Sequence, residues 1–485
     1  MSLARLIGHD AVLPAIAAGL SVSGLTADSR DVQPGFVFAA LSGSKGNGAD
    51  YIPQAFAKGA ICVVCAAGTY RGPGLKVEVA NPAQVLAHMA ARFFEPQPET
   101  IVAVTGTNGK TSVAVFVRQI WEAMGFRAAS LGTIGVVGPG GVEVLQHTTP
   151  GPVQLHETIA RLAADHVQHL AIEASSHGLA QYRLDGLYLT AGAFTNLTRD
   201  HLDYHGNTDN YFEAKMRLFT ELLPKGSPAV INMDSPAGEE VRIRAEASGL
   251  QSFTVGERGH NIRLLSTRHE GLSQILMLET PLESFEVPLP LPGTFQASNA
   301  LVAAGLVIAA GGKPSLVFHA LSSLKGAPGR LDFVGNSAHG AAVFVDYAHT
   351  PDALETALRA LRPSTSGKLA VVFGCGGDRD KGKRPLMAKA AMAAADVVYV
   401  TDDNPRSEDP ASIRREALVG APTAVEIGDR AEAILSAVSA LQAGDLLLVA
   451  GKGHEQGQEF AGGLKKPFSD HAAVRAALRG ETYHG

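Results

Sequence analysis

The stretch V-T-G-T-N-G-K-T-S at residues 104–112 predicts a phosphate-binding loop. Glycines let backbone N–H groups point at an anion, a lysine adds positive charge, and a hydroxyl supplies an oxygen to Mg²⁺. Lys110 and Thr111 directly follow Gly109, in the order that this chemistry requires. The common pattern has a further glycine five positions before Gly109, where this chain has Val104. The sequence of this loop therefore differs from that of ordinary P-loop kinases.

The segments on either side of this loop have the patterns needed to hold it. The apolar run I-V-A-V at 101–104 predicts a strand that leads into the loop. The segment S-V-A-V-F-V-R-Q-I-W-E-A-M at 112–124 predicts the helix that leaves it, and Gly125 predicts the end of that helix. This context favours a true phosphate site over a chance glycine-lysine turn.

Candidate metal ligands follow in two polar segments. H-L-A-I-E-A-S-S-H-G-L at 169–179 predicts a strand that ends at Glu173, and N-L-T-R-D-H-L-D-Y-H-G at 196–206 contains His201 and His205. A strand-end glutamate is also common at the surface. Two histidines four apart also suit zinc, although no third Cys or His stands at ligand spacing. Lys215, in the helical pattern Y-F-E-A-K-M-R-L-F, is by its spacing alone a solvated lysine.

In the last third of the chain, apolar runs alternate with helical patterns, which predicts a parallel α/β sheet. The runs lie at 341–345, 369–373, 396–400 and 445–450. Each leads into a polar loop: D-Y-A-H-T-P, G-C-G-G-D-R-D-K-G-K-R, T-D-D-N-P-R and G-K-G-H-E. Because ligands of such sheets bind beyond the carboxyl ends of the strands, these four loops predict one shared site.

Length and breaks in the pattern predict three domains. The chain has 485 residues, and domains average roughly 150 residues each. Proline-rich R-F-F-E-P-Q-P-E-T at 92–100 and L-K-G-A-P-G-R-L-D at 324–332 predict the breaks. We expect domains at 1–95, 96–327 and 328–485.

Composition excludes several classes of protein. A net charge of -6 argues against a general binder of nucleic acids or membrane surfaces. No uninterrupted apolar run reaches the ~18 residues of a membrane span. Three cysteines cannot make a disulfide framework, which favours a reducing cytoplasm. Cys62 and Cys65 are expected on opposite faces of one strand, which argues against a shared metal or redox role.

The loop sequence T-G-T-N-G-K-T resembles that of the ATP-dependent Mur ligases of peptidoglycan synthesis and of their relative, folylpolyglutamate synthase. The resemblance extends to the patterns in all three predicted domains. The resemblance implies a small α/β N-terminal domain that binds UDP, a central P-loop domain with a parallel sheet, and a Rossmann-like α/β C-terminal domain. It implies a cytoplasmic, monomeric enzyme of cell-wall synthesis, and so of cell shape and division. Such ligases use ATP to turn a carboxylate into an acyl phosphate, which an amine then displaces.

The resemblance also assigns the ATP and metal sites. It implies ATP contacts by Gly106, Thr107, Asn108, Gly109, Lys110, Thr111, Ser112, Asn299, Arg330 and Asp346. It implies Mg²⁺ ligation by Thr111, Glu173, His201 and Lys215, the last as a lysine carbamylated by CO₂. Lys110, Glu173, His201 and Lys215 are then the expected catalytic residues. Since ATP would contact both the second and the third domain, closure is expected to accompany catalysis.

The substrates implied are UDP-MurNAc-L-Ala-D-Glu and meso-diaminopimelate. D-N-P-R matches the signature of ligases for diaminopimelate, whose second carboxylate suits the fork of Arg406, whereas L-lysine lacks that carboxylate. The amino-acid contacts are expected at Arg379, Asp403, Asn404, Pro405, Arg406, Gly451 and Glu455. The nucleotide-sugar peptide is expected at Ser29, Thr148, Thr149, Ser175, Gln181 and Arg183.

The sequence departs from the family pattern at two places, and three alternative functions stay open. His147 stands where Asn is common, and S-G-S-K-G-N-G at 42–48 lacks a His-Gln pair seen in some relatives, so the uridine contacts are the least secure. A ligase that adds L-lysine would be expected to lack an arginine at the position of Arg406. Folylpolyglutamate synthase usually lacks both the N-terminal D-S-R domain and D-N-P-R. A P-loop regulatory protein without ligation would not need Glu173 or Lys215.

Overall fold

A computed structural model describes residues 1–43, 46–198 and 200–484. The chain divides into two compact units. The first contains residues 1–262 and 302–317, and the second contains residues 263–301 and 318–485. The predicted bounds of the three domains stay a prediction.

The first unit begins with a small parallel sheet, in the strand order β1-β2-β5-β6. The short β3 and β4 form a separate hairpin. Cys62 and Cys65 are buried on β5 in separate apolar clusters, as the alternation of strand side chains predicts. The strands are β1 (Gly24–Thr26), β2 (Phe36–Ala39), β3 (Ser42–Gly43), β4 (Gly46–Asn47), β5 (Cys62–Ala66) and β6 (Lys76–Val79), and the helices are α1 (Leu3–Ile7), α2 (Ile52–Ala57) and α3 (Pro82–Phe93).

A larger sheet follows in the first unit, in the order β10-β9-β8-β11-β7-β12-β13-β14. From β8 to β14 neighbouring strands are parallel, but β9 and β10 are antiparallel, so this sheet is mixed rather than purely parallel. The strands are β7 (Thr100–Thr105), β8 (Ala128–Gly132), β9 (Gly135–Gly138), β10 (Gly141–Glu143), β11 (His169–Glu173), β12 (Leu189–Phe194), β13 (Pro228–Asn232) and β14 (Gln251–Gly256). The helices are α4 (Lys110–Ala123), α5 (Pro152–Ala164), α6 (Ser176–Ala180), α7 (Leu202–His205), α8 (Thr208–Arg217) and α9 (Gly238–Ala247).

In the second unit, β15, β16 and β17 form an antiparallel meander, and a separate sheet has the order β18-β19-β23-β20-β21-β22. All neighbours in that sheet are parallel except the edge pair β18 and β19. The strands are β15 (Ile262–Glu270), β16 (Ser273–Glu279), β17 (Ser284–Leu289), β18 (Asp332–Asn336), β19 (Ala342–Asp346), β20 (Leu369–Cys375), β21 (Val397–Asp402), β22 (Val425–Glu426), β23 (Leu446–Ala450), β24 (Gly457–Glu459) and β25 (Lys465–Pro467). The helices are α10 (Thr294–Ala309), α11 (Pro314–Leu321), α12 (Pro351–Leu361), α13 (Lys383–Ala394), α14 (Pro410–Leu418), α15 (Arg430–Ala440) and α16 (Asp470–Leu478); the first two cross between the units.

The four strands predicted in the last third of the chain are confirmed as β19, β20, β21 and β23, which are adjacent in one parallel sheet. Their side chains alternate between two buried clusters, one on each face, so both faces are covered by helices. The four polar loops therefore emerge at the same edge. Among the described residues no helix is long and apolar enough to cross a membrane.

A buried ion pair fixes two helices of the second unit. Arg430 begins α15 and Asp470 begins α16, and both side chains are 0% exposed. Two hydrogen bonds, of 2.7 and 2.8 Å, join the guanidinium to the two carboxylate oxygens, and Arg430 also donates to the carbonyl oxygen of Ala450.

We expect Asp470→Asn to lower the free energy of unfolding of the second unit by about 3–5 kcal/mol, because it leaves a buried charge without its partner. Hydrogen exchange of β23, followed by mass spectrometry, measures this effect. The double variant Arg430→Met/Asp470→Leu should recover much of the loss. Equal exchange in wild type and Asp470→Asn would contradict the assignment.

Candidate active site

The phosphate loop lies between β7 and α4, as predicted, and Gly125 follows the helix in the left-handed conformation. Gly106 has a φ of +147°, and a Cβ there would lie 1.9 Å from Thr195 Oγ1, so glycine is required. The segment after β12 holds the loop: the N–H of Asn108 donates to Asn196 Oδ1 at 2.9 Å, and the N–H of Thr107 donates to the Asn196 carbonyl oxygen at 2.8 Å. The loop is therefore preorganised by contacts outside itself.

Glu173 lies at the end of β11 and is 2% exposed, so it is not a surface residue. Its carboxylate accepts hydrogen bonds from Thr111 Oγ1 at 3.0 Å, from the N–H of Thr133 at 2.7 Å and from Thr133 Oγ1 at 3.2 Å. A Cβ on Gly132 would lie 2.0 Å from Glu173 Oε1, so only glycine leaves room for this carboxylate. The Thr111 contact brings together the phosphate loop and the predicted metal ligand.

The residues predicted for the muramoyl peptide gather around the same carboxylate. The Thr149 hydroxyl donates to the Glu173 carbonyl oxygen at 2.8 Å and lies 2.9 Å from Ser175 Oγ, while Thr148 Oγ1 lies 3.0 Å from Thr133 Oγ1. Ser175 caps α6 through the N–H of Gly178.

Two further residues of this set lie on the turn after α6. Arg183 donates from Nε to Gln181 Oε1 at 3.1 Å and from one Nη to the Thr149 carbonyl oxygen. Gln181 donates in turn to the Tyr204 hydroxyl. Five of the six predicted residues thus share one polar network, which has charged and hydroxyl groups suited to an anionic peptide.

Lys215 is 1% exposed, so the surface position favoured by its helical spacing is wrong. Its Nζ donates to the carbonyl oxygen of Gly106 at 2.6 Å and lies 4.1 Å from the centroid of the Tyr211 ring. Lys110 Nζ donates to the same carbonyl oxygen at 2.9 Å. Burial, together with the neighbouring charge of Lys110, holds the pKa of Lys215 well below its usual value, although Asp200 opposes this shift. An amine of lowered pKa is more often neutral and nucleophilic.

His201 lies beside these groups in a cluster of rings. Its ring centroid is 4.9 Å from that of His177 and 6.2 Å from that of Tyr211, and its Nε2 is 3.4 Å from Asp200 Oδ2. The Tyr211 hydroxyl donates to Thr107 Oγ1 at 3.2 Å, which links the cluster to the phosphate loop. His205 is 3.0 Å from Ser176 Oγ through Nε2. Among the residues that the structure describes, no group of three or more His, Cys, Asp and Glu is placed to hold a metal ion.

The residues predicted for adenosine lie in the second unit and form a chain of contacts. Asn299 donates to Gln296 Oε1 at 3.2 Å, and Gln296 donates to the carbonyl oxygen of Arg330 at 3.0 Å. The Arg330 guanidinium lies 4.7 Å from the centroid of the Tyr347 ring, and its buried Nε has no hydrogen-bond partner among the described residues. Asp346 ends β19 and accepts from the N–H groups of Leu331 and Ala348 at 2.6 and 2.7 Å, while burial raises its pKa.

The polar loops at the edge of the second sheet meet as predicted. Asn404 Nδ2 donates to Glu455 Oε2 at 3.1 Å, and the Asp403 carboxylate lies 2.9 Å from where a Cβ on Gly451 would stand. Lys452, which is 0% exposed, lies between Asn404 and Glu455 and donates to both.

Arg406 has an unusual backbone and two fixed contacts. Its φ is +50°, a conformation that non-glycine residues rarely adopt. Its Nε donates to Glu459 Oε2 at 3.0 Å, and one Nη donates to the carbonyl oxygen of Gly377 at 2.8 Å. The guanidinium is therefore held in place, with part of its charge offset by Glu459.

The remaining predicted positions are less connected. Ser29 lies in the N-terminal part, 3.3 Å from Gln54 Oε1, and does not join the network around Glu173. Arg379 and His147 are exposed. The stretch 42–48 includes residues 44 and 45, which lie outside the described residues. Burial raises the pKa of the Cys375 thiol to about 12.

Several residues of the site were not found from the sequence. Gly132 ends β8 and Thr133 follows it, β8 is adjacent to β11, and the strand-end rule applied to β8 would have indicated both residues. Lys452 stands inside the motif G-K-G-H-E, in which the resemblance assigns only Gly451 and Glu455. Gln296 and Glu459 carry no signal in the sequence that would mark them.

The lowered pKa of Lys215 predicts a pH dependence of stability. Between the native pKa and the unfolded value near 10.5, the unfolded chain binds one more proton, so stability rises with pH. In buffer depleted of CO₂, the wild type should therefore gain melting temperature relative to Lys215→Met as pH rises towards 10. Calorimetry from pH 6 to 10 tests this, with the exposed Lys466→Met as control. A parallel pH dependence of both proteins would show that Lys215 stays protonated.

Three family models match this chain in consecutive segments. They are the Mur ligase family catalytic domain at residues 21–94, the Mur ligase middle domain at 104–307, and the Mur ligase glutamate ligase domain at 329–453. The three-domain α/β organisation expected from the sequence is confirmed by these matches.

Curated relatives match over almost the whole chain. The UDP-N-acetylmuramoyl-L-alanyl-D-glutamate--2,6-diaminopimelate ligase of Chelativorans sp. (strain BNC1) is 54% identical over 96% of this chain and 97% of its own length. The ligase of the same name from Brucella melitensis biotype 1 is 52% identical over 99% and 98%. A solved structure of a ligase of this name is 33% identical, covers 99% of both chains and has a TM-score of 0.75. This chain belongs to the Mur ligase family.

Proposed function

We propose that this protein is an ATP-dependent ligase that joins meso-diaminopimelate to the D-Glu γ-carboxylate of UDP-MurNAc-L-Ala-D-Glu, in the cytoplasm, as a step of peptidoglycan synthesis. The observation that carries the proposal is the hydrogen bond between Thr111 and Glu173, at 3.0 Å. It joins a phosphate loop to a buried carboxylate around which the peptide-binding residues gather. The relatives over 50% identical carry this activity in their names.

The phosphates of ATP are assigned to the loop at 106–112. Backbone N–H groups at the start of α4 face this position, and the helix dipole favours an anion there. Lys110 adds positive charge. In the second unit, the unpartnered Nε of Arg330 supports a ligand contact, because a buried donor without a partner costs free energy. We assign it, with Asn299 and Asp346, to the nucleoside of ATP.

The residues around Glu173 fit Mg²⁺. The carboxylate and the Thr111 hydroxyl offer hard oxygen ligands, which Mg²⁺ prefers. Mg²⁺, when bound, supplies positive charge that offsets the repulsion between the substrate carboxylate and the γ-phosphate. His201 is assigned as a further ligand.

Lys215 as an ammonium cannot bind a cation, but its environment favours reaction with CO₂. The burial and the Lys110 charge that lower its pKa increase the fraction of neutral amine, and only the neutral amine attacks CO₂. The product is a carbamate, whose oxygens resemble those of a carboxylate. We assign this carbamate as a metal ligand.

The chemistry then follows from charge and proximity. A D-Glu carboxylate oxygen attacks the γ-phosphorus, ADP leaves, and the acyl phosphate forms. The substrate amine attacks the acyl carbon, loses its proton, and phosphate leaves. Thr148, Thr149, Ser175, Gln181 and Arg183 hold the peptide in the required position, a contribution that lowers the barrier by fixing the reacting groups. Ser29 is assigned to the UDP end.

The amino acid is assigned to the loops with Arg379, Asp403, Asn404, Pro405, Arg406, Gly451 and Glu455. Arg406 is fixed by Glu459 and by the Gly377 carbonyl oxygen, and a fixed guanidinium binds a carboxylate at lower entropic cost. The carboxylates of Asp403 and Glu455 suit the ammonium groups of diaminopimelate. Monomeric action is also proposed, and light scattering would check it.

A direct assay tests the function. Purified protein with ATP, Mg²⁺ and UDP-MurNAc-L-Ala-D-Glu should release phosphate and form a tripeptide with meso-diaminopimelate but not with L-lysine, with the product mass confirmed. Arg406→Ala should lose at least about 10-fold in kcat/KM for diaminopimelate, because a charge-assisted hydrogen bond is worth about 1.5–3 kcal/mol. Equal turnover with L-lysine would favour the lysine-adding rival, and no turnover with either amine would contradict the ligase.

Replacement of Lys215 tests the carbamate. Lys215→Ala should lose activity almost completely, and acetate or propionate should restore part of it, because a small carboxylate can occupy the cavity and supply the missing oxygens. Lys215→Met fills the cavity and should not respond. Carbon-13 NMR with labelled bicarbonate should show a carbamate signal in the wild type only. Activity that persists without Lys215 would exclude its role as a ligand.

A further inference from the structure

Lys452, in the loop that follows β23, is a fully buried cation among the residues assigned to the amino-acid substrate. Its side chain is 0% exposed, although the loop that carries it lies at a sheet edge. Its Nζ is 2.8 Å from Glu455 Oε2, 3.0 Å from Asn404 Oδ1 and 3.6 Å from Asp403 Oδ1. All three partners are among the residues assigned to the amino-acid substrate.

These contacts fix how each partner presents its polar atoms. Asn404 Oδ1 accepts from Lys452 and from the N–H of Glu459, so the amide nitrogen must face Glu455, to which it donates at 3.1 Å. Glu455 Oε2 accepts from both Lys452 and Asn404. Lys452 Nζ therefore contacts a single oxygen atom of each of Asn404, Glu455 and Asp403.

The balance of charge gives a second reason for a lysine at position 452. Asp403 and Glu455 are carboxylates that approach the same ammonium, and without a cation between them they would repel each other. One ammonium between two carboxylates leaves a net negative charge, which attracts the ammonium of an incoming amino acid without forcing the two carboxylates apart.

We propose that Lys452 is a positioning residue for the amine-bearing substrate, which sets the orientation of Asn404 and Glu455 and balances the charges of Asp403 and Glu455. The inference rests on the proposed function, since it acts through the site for that substrate. Other buried cations of this unit differ: Arg430 pairs with Asp470, and Arg384 pairs with Glu408 and Glu416, none of which is assigned to a substrate.

The test is the effect of Lys452→Met on each substrate separately. The KM for meso-diaminopimelate should rise about 10- to 100-fold, the size expected for lost charge-assisted hydrogen bonds. The KM values for ATP and for UDP-MurNAc-L-Ala-D-Glu should change less than about twofold, because their sites keep all their contacts. Lys465→Met, an exposed lysine of β25, is the control and should leave all three values unchanged.

A second variant separates positioning from loss of folding. Lys452→Ala leaves a cavity, so ethylamine or propylamine should lower its KM for diaminopimelate severalfold, whereas Lys452→Met, which fills the cavity, should not respond. An unchanged KM for diaminopimelate in Lys452→Met, equal rises for all three substrates, or no response of Lys452→Ala to amines would each overturn the proposal. Failure of the wild type to form the tripeptide would instead contradict the proposed function.

Discussion

The buried carboxylate of Glu173 is the constraint on which the first unit depends. A carboxylate that is removed from water must be surrounded by donors, and here they come from the phosphate loop and from the loop after β8. Parallel strands bring these loops together, since β8, β11 and β7 are neighbours with the same direction. The sheet order thus places the phosphate loop next to the residues that we assign to the peptide, and the close approach at Gly132 leaves the carboxylate room.

The same loop concentrates positive charge at one carbonyl group. Lys110 and Lys215 both donate to the Gly106 carbonyl oxygen, although they are 105 positions apart in the chain. The pKa of Lys215 is lowered by its burial and by the neighbouring charge of Lys110. Lys110, which we assign to the phosphates of ATP, therefore also lowers the pKa of the neighbouring Lys215. The backbone conformation at position 106 requires glycine, and the carbonyl oxygen of this residue accepts from both lysines.

Local patterns predicted most of the fold, because hydrophobic periodicity and strand-end loops are properties of short segments. The phosphate loop, the strand ending at Glu173 and the four parallel strands of the last third were all found in this way. The antiparallel pair β9 and β10 was missed, since G-V-V-G and G-V-E are too short for alternation to be visible. The burial of Lys215 could not be predicted from spacing, because it arises from a contact with a residue 109 positions away.

Two buried lysines show how the partners of a side chain decide its chemistry. Lys215 and Lys452 are 1% and 0% exposed, so both side chains are removed from water. Lys215 lies against a second lysine and a carbonyl oxygen, which favours a neutral amine able to attack an electrophile. Lys452 lies among two carboxylates and an amide oxygen, and its contacts hold these groups in place. The sequence alone shows two lysines in polar segments. The groups that surround each lysine in the fold decide whether it is a reactive amine or a fixed charge.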